Sequence, residues 1–284
     1  ATNVLDPVAT AITNVALDHA DYLGETLPEI AREKAGIFRH GVPALTGESE
    51  AGALAVLRAE AERVGASFVE LDRIAALGAV EVDARGTRFD YRSERWGEGT
   101  LALPLPGAHQ ARNALLALEL LGTLPDALRP SLGAIERGFA AVRWPGRLQV
   151  EDVGGTTFVF DVAHNPAGAE SLAAALDALD LPRPLVLVAG ILSDKAWREM
   201  LPPIIERADA VILTTPPTAP VNRRWDPLAA ASALPQSGRP LRVIDDFAAA
   251  LSRATTLAPH GTVLVTGSVH TVGDALAELG LDPL

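Results

Sequence analysis

Through the second half of the chain, short apolar runs alternate with longer alanine- and leucine-rich segments whose polar positions recur at helical spacing. Residues 157–160, 185–189, 210–214, 241–244 and 262–266 read as buried strands, each followed by a helical segment. That alternation predicts a parallel sheet with helices on both faces. The first half is less regular. Val8 to Val15 is β-prone and runs into Ala16, Leu17, Asp18 and His19, after which 20–25 read as a turn. A helix follows, started by the capping box of Thr26 and Glu29, with Pro28 in its first turn and Gly36 at its end. Val42–Thr46 reads as a strand, Ala51–Val64 as a helix and Phe68–Leu71 as a short strand. Residues 79–82, 87–91 and 100–103 are extended pieces between glycine and charged turns, a small antiparallel section. Helices at His109–Leu121 and Leu132–Ala140 close this half, and Trp144, Pro145 and Gly146 mark the linker.

The best-marked stretch is TFVFDVAHNPAGAESLAAAL, residues 157–176. An apolar strand stops at Asp161, and Asn165 and Pro166 open a helix: the asparagine side chain takes an unpaired amide, and proline has none to leave unpaired. Asp161 and His164 therefore sit at the carboxyl end of a strand beside the positive end of a helix, where α/β sheets place ligands and attract phosphate or carboxylate. The plainer alternative is that both merely decorate a strand-to-helix turn.

Composition narrows the classes. Apolar residues make up 48% and charged residues 21%, globular values for a chain of 284 residues that suits one large domain or two ordinary ones. A net charge of −12 argues against a nucleic-acid surface, and anionic substrates then require a local cluster of cations, amides or metal. Without cysteine there are no disulfides, thiolate metal sites or thiol catalysis. No secretory leader or membrane-length apolar run is evident, so a cytoplasmic protein free of membrane is the expectation.

Several residues carry two readings each. His19 beside Asp18 is a metal ligand or an ordinary exposed histidine. Lys34 is a salt-bridging helix lysine or, near a divalent cation, a carbamate offering the oxygen ligand that Mg²⁺ prefers. His109 and Asn113, four apart on one helix face, contact a base or form a core polar pair. Arg147 after Gly146 grips a phosphate or makes an interdomain ion pair. Asp194 and Lys195 form a charge pair or close over a substrate. Ser268, after Thr266 and Gly267, is a ligand residue or a helix cap.

Taken together, ATNVLDP (1–7), ITNVALDHADYLG (12–24), EIAREKAGIF (29–38), GAHQARNALLALELL (107–121), WPGRLQV (144–150), FDVAHNPAGAESL (160–172), GILSDKAW (190–197) and VTGSVHTVGDAL (265–276) resemble the Mur-ligase superfamily in its folylpolyglutamate synthase/dihydrofolate synthase branch. The resemblance implies an α/β chain of two domains: 1–143, the remainder of a P-loop-type ATPase domain, and 144–284, a Rossmann-like parallel-sheet domain. It implies a monomer that uses ATP and Mg²⁺ to join L-glutamate to dihydropteroate or a folate through an acyl phosphate. Carried over by position, His19 and Lys34 would hold Mg²⁺, with Lys34 carbamylated. Asn113, Arg147 and Asp161 would contact ATP, and His164 and Ser268 would lie near the phosphates and incoming glutamate. Lys34, His164 and Asp161 would serve the chemistry, and Ala1 would end a pteroate-binding loop. The sequence departs from the family in lacking any G-x-x-x-x-G-K-[ST] loop and the acidic metal ligand that should precede ATNV. The chain, starting at Ala1, is expected to be a member entered partway through a domain, inactive or nearly so alone, with an exposed sheet edge. Another Mur-type amino-acid ligase and a binding-only fragment are the alternatives.

Overall fold

In a computed structural model, described for residues 2–16, 26–235 and 238–281, the chain forms two compact units. The first comprises Ala1–Glu81, Thr87–Pro104 and Ala108–Val142, the second Val82–Gly86, Leu105–Gly107 and Arg143–Leu284. His19 and Ala1, both singled out above, lie outside the described residues.

After a 3₁₀ turn at Thr2–Val4, the first unit runs through β1 (Thr10–Ile12), α1 (Leu27–Ala35), β2 (Pro43–Thr46), α2 (Ala51–Val64), β3 (Ser67–Glu70) and the single turn α3 (Leu71–Ile74). Strands β1, β2 and β3 pair in parallel in that order, leaving β1 and β3 at the edges. In the segment leading into β1, Val4, Leu5 and Val8 are exposed. Both halves of the Thr26–Glu29 capping box form, and α1 and α2 bury Ile30, Ala31, Leu57 and Ala61 with Ile12, Phe38 and Ala44. Gly36 follows α1 in a right-handed conformation (φ −55°), so it is not a left-handed terminator. Its missing side chain matters for space: a Cβ there would lie 2.5 Å from Asn3 Nδ2.

Next come β4 (Ala75–Asp83), β5 (Gly86–Ser93) and β6 (Gly97–Leu103), one sheet in that order. These strands are longer than the sequence pattern suggested, because glycines in β6 pair like any other residue and Gly99 lies against the ring of Tyr91. On β5, Thr87, Phe89, Tyr91 and Ser93 alternate inward, a period-two burial. Helices α4 (Ala108–Gly122) and α5 (Leu132–Ala140) complete the unit.

The second unit is built on a six-stranded sheet. Its elements are β7 (Gln149–Val153), β8 (Thr156–Asp161), α6 (Pro166–Ala178), β9 (Leu185–Ala189), α7 (Trp197–Ile205), β10 (Ala210–Leu213), α8 (Pro227–Ala233), β11 (Leu241–Val243), α9 (Phe247–Leu257), β12 (Thr262–Thr266) and α10 (Val269–Glu278). The order is β11-β10-β9-β12-β8-β7, parallel throughout except for β7, which runs antiparallel to β8. The sheet is thus not purely parallel, a correction to the alternation pattern. Strands β7 and β8 form a hairpin turned by Gly154 (φ 62°) and Gly155 (φ 82°), the two-glycine loop whose twist suits antiparallel strands. Val159, Leu187, Val211 and Leu264 face one layer with residues of α6, α7 and α8. Phe158, Phe160, Val186, Val188, Val263 and Val265 face the other with α9 and α10.

Candidate functional site

That layering creates a switch point. The helices after β8 and β9 leave toward one face, and the helix after β12, which lies between them, leaves toward the other. A crevice therefore opens at the carboxyl ends of β8, β12 and β9, where open α/β sheets bind ligands. Asp161, His164 and Ser268 all fall there.

Asp161 is the last residue of β8 and 8% exposed. Its Oδ1 accepts the Ala163 N–H at 2.8 Å and its Oδ2 the Leu148 N–H at 3.0 Å. Burial raises its pKa to about 6, against the pull of those two amides and of the charges on Arg147 and His164. The Leu148 contact depends on unusual backbone. Gly146 (φ 70°) and Leu148 (φ 48°) are both left-handed, which folds the loop over the carboxylate. Gly146 has no room for a side chain, since a Cβ would meet Val162 Cγ1 at 2.8 Å. Between these two residues Arg147 points outward, exposed and without an ion pair to any described residue.

His164 is half-buried and its Nδ1 lies 2.8 Å from Val162 O, so this nitrogen carries a proton and donates it to that carbonyl. Asn165 caps α6 by accepting the Gly168 N–H at 2.7 Å, with Pro166 in the first turn. Across the crevice Ser268 caps α10, accepting the Thr271 N–H at 3.1 Å. Thr271 Oγ1 donates to Gly190 O at 2.5 Å, so the 2.8 Å contact between the two hydroxyls has Ser268 as donor. The Ser268 hydroxyl is consumed inside the turn and is 2% exposed. The turn is closely built: a Cβ on Gly267 (φ 113°) would lie 2.6 Å from Gly190 O. Beside it, Thr266 pairs in register with Asp161 and Ala189, and its buried Oγ1 has no hydrogen-bond partner among the described residues.

The other candidates are held by partners of their own. Lys34, in the first unit, donates from Nζ to Asn14 O at 2.9 Å, at the exit of β1. Asn113, exposed on α4, donates to Gln110 Oε1 at 3.2 Å. Asp194 pairs with Arg223 at 2.7 Å, and this guanidinium, with a smaller contribution from the charge of its neighbour Lys195, holds its carboxyl below the usual range. No group of three or more histidine and carboxylate side chains able to hold a metal occurs among the described residues.

Sequence reasoning missed three features. Glu48 is a buried carboxylate after β2, without spacing or motif to flag it. Glu119 is 2% exposed on the apolar side of α4 with Leu115 and Leu118, and burial raises its pKa. Its signal was visible as a charge interrupting an apolar stripe. An open cavity of 610 Å³ at the ends of β10 and β11 is lined by Thr215, Pro216, Arg224, Trp225, Asp245 and Phe247. Only the proline-rich TTPPTAP loop hinted at it.

Two consecutive family descriptions cover most of the chain: "Mur ligase middle domain" matches residues 1–121 and "Mur ligase, glutamate ligase domain" residues 146–269. The chain belongs to the Mur ligase family. It is 33% identical to the folylpolyglutamate synthase of Lacticaseibacillus casei over 95% of this chain and 61% of that protein. It is 34% identical to the dihydrofolate synthase/folylpolyglutamate synthase of Mycobacterium tuberculosis over 100% of this chain and 62% of that protein. The solved structure of Mycobacterium tuberculosis folylpolyglutamate synthase complexed with ADP superposes with a TM-score of 0.88 at 32% identity, covering 99% of this chain and 65% of that one. The chain thus spans about three fifths of the length of these relatives.

Proposed function

We propose that this chain is part of an ATP-dependent ligase that joins L-glutamate to dihydropteroate or a folate. Residues 1–143 are read as the remainder of its ATPase domain and 144–284 as its ligase domain. The observation that carries the reading is the grouping of Asp161, His164 and the Ser268 turn at one switch point, in a chain about one third identical to folylpolyglutamate synthases along nearly all its length. The substrate carboxylate attacks the γ-phosphorus of ATP and ADP leaves. The glutamate amine, having lost a proton, attacks the resulting acyl phosphate, and phosphate leaves as the amide forms. Both steps bring anions together, so the work of the protein is positioning and charge neutralisation.

Arg147, exposed and outside ion-pair distance of any described carboxylate, suits phosphate oxygens. The Asp161 carboxylate, fixed by two amides, holds the Gly146–Leu148 loop that presents Arg147, and Asn113 is assigned to the nucleotide. His164, beside the positive end of α6, is assigned to the phosphates and the incoming glutamate. Ser268 contributes by keeping the β12–α10 turn closed beneath the phosphates. Lys34 and His19 are assigned to Mg²⁺, which when bound neutralises phosphate charge, and Ala1 to the pteroate. The class of relatives argues for a cytoplasmic monomer. Among the described residues no helix is long and apolar enough to cross a membrane.

The test is a mass-resolved ligation assay with ATP, Mg²⁺, ¹⁵N-glutamate and either dihydropteroate or tetrahydrofolate. It is run on these 284 residues and on the same chain joined to an upstream segment bearing a phosphate-binding loop. Product from the joined chain is expected. If neither pterin is extended but a cell-wall precursor is, the substrate assignment is wrong; nucleotide binding without any product would leave only a binding role.

A further inference from the structure

The exit of β1 is held by more than strand pairing. Thr46 Oγ1 and the Gly47 N–H both donate to Ile12 O, at 3.2 and 2.9 Å. Gly47 itself is pressed close, since a Cβ would lie 2.7 Å from Thr13 O. Arg112 on α4 fixes Gly47 from behind: Nε donates to its carbonyl at 2.9 Å while the two terminal nitrogens grip Asp72 at 2.7 and 2.8 Å. One residue beyond Thr13, a single peptide group is gripped at both ends, by the Lys34 nitrogen and the Glu48 carboxylate. The Asn14 carbonyl accepts from Lys34 Nζ at 2.9 Å, and the Val15 N–H of the same peptide donates to Glu48 Oε2 at 2.5 Å. The second Glu48 oxygen accepts the Ser49 and Glu50 N–H groups, both at 2.7 Å. The carboxylate is 7% exposed.

The sense of the peptide dipole matches the two partners. Its oxygen end faces the Lys34 Nζ–H, which the amine and its carbamate both retain, and its N–H end the carboxylate, so each hydrogen bond polarises the group and strengthens the other. We infer that Glu48 is a positioning residue for Lys34: through the Asn14–Val15 peptide it sets where the Lys34 amine stands. Its catalytic consequence rests on the ligase reading above, in which Lys34 belongs to the working end of this unit; the positioning itself does not. The chemistry demands a carboxylate. Both oxygens accept backbone N–H groups, and a glutamine of the same shape has one acceptor and turns its NH₂ toward a donor.

The test compares Glu48→Gln with the wild type in three readouts. Amide exchange at Val15 should quicken by about tenfold or more, as the loss of a charged hydrogen bond implies, while Gly47, bonded to Ile12, keeps its protection. Labelling of the Lys34 amine by a limiting acylating reagent, read by peptide mass, should rise. In the ligation assay kcat should fall with the KM for ATP unchanged. Lys34→Met should also quicken exchange at Val15, and the double variant should exceed the larger single effect only slightly, because both act on one peptide. Gly47→Ala, which displaces Thr13 O from the other side, should reproduce the Val15 signal. Unchanged Val15 exchange and Lys34 labelling in Glu48→Gln, or a lower Tm with Val15 and Gly47 loosened together, would overturn the inference. Failure of the wild-type ligation assay would count against the ligase reading alone, since exchange and labelling still decide the role of Glu48.

Discussion

The two units each present polar groups at the carboxyl ends of parallel strands, but they hold them by different means. In the second unit most of the bonds are short in sequence: Asp161 to Ala163, His164 to Val162, Asn165 to Gly168 and Ser268 to Thr271 are two or three residues apart, while Leu148 to Asp161, across 13, and Thr271 to Gly190, across 81, reach further. In the first, Lys34 reaches Asn14 across 20 residues, Glu48 reaches Val15 across 33 and Arg112 reaches Gly47 across 65. The larger sheet, with helices on both faces, supplies a rigid frame on which caps suffice. The three short strands of the first unit do not, and long-range side chains do the holding instead. Local bonds of the first kind should survive most distant substitutions, and bonds of the second kind should not.

The largest effect that would probe this contrast lies in the cores. Phe160→Ala removes a fully buried ring stacked on Phe158 at 5.8 Å and should cost about 3–5 kcal/mol in denaturant unfolding. Leu57→Ala, fully buried between the helices of the first unit, should cost about 2–5 kcal/mol. A loss below about 1 kcal/mol at either place would mean that the layer is not packed as described.

Next is Asp161→Ala. Two amides lose their acceptor, but a buried charge disappears as well, so stability should change little while ligation falls by about 10²–10³. Normal turnover with a large drop in Tm would return Asp161 to a purely structural role. The same residue sets a pH dependence. The rise from 3.8 to about 6 corresponds to roughly 3 kcal/mol. Because the folded chain binds this proton more tightly than the unfolded chain, the contribution is fully present below about pH 4 and is lost as the pH climbs to about 6. Urea midpoints measured across that window should show this downward component in the wild type and lack it in Asp161→Ala.

Lys34→Ala should lower Mg²⁺-dependent turnover by about 10–100-fold, with partial recovery on adding short carboxylates. Untouched turnover would remove the carbamate from the mechanism. Smallest are the caps. Thr26→Ala on α1 and Ser268→Ala on α10 should each cost about 1 kcal/mol. A markedly larger loss for Ser268 would show that its hydroxyl link to Thr271 and Gly190 carries more than the cap.

Much of the site was legible because it is local. FVFDVAHNP announces a strand, its end, a cap and a helix in consecutive residues, and all four form. The same holds for Thr26 with Glu29 and for Ala51–Val64, whose bounds match the pattern. The antiparallel β7 was legible in principle, through Gly154 and Gly155, but an alternation of strands and helices draws attention away from a hairpin. Asp194 shows the opposite limit, since the sequence offered its neighbour Lys195, whose charge does act on it, but could not show the hydrogen-bonded ion pair with Arg223, 29 residues away.

The sequence by itself determined most of the strands and helices, their caps and the strand-end location of Asp161, His164 and Ser268, because periodicity, capping and strand ends depend on residues a few positions apart. Tertiary structure alone decided that Leu148 would fold its N–H onto Asp161, that burial would lift this carboxyl to about 6, and that Glu48 and Lys34 would hold one peptide between them. Those outcomes depend on which strand ends become neighbours and on how much water the packing excludes, and neither is encoded in any short stretch of the chain.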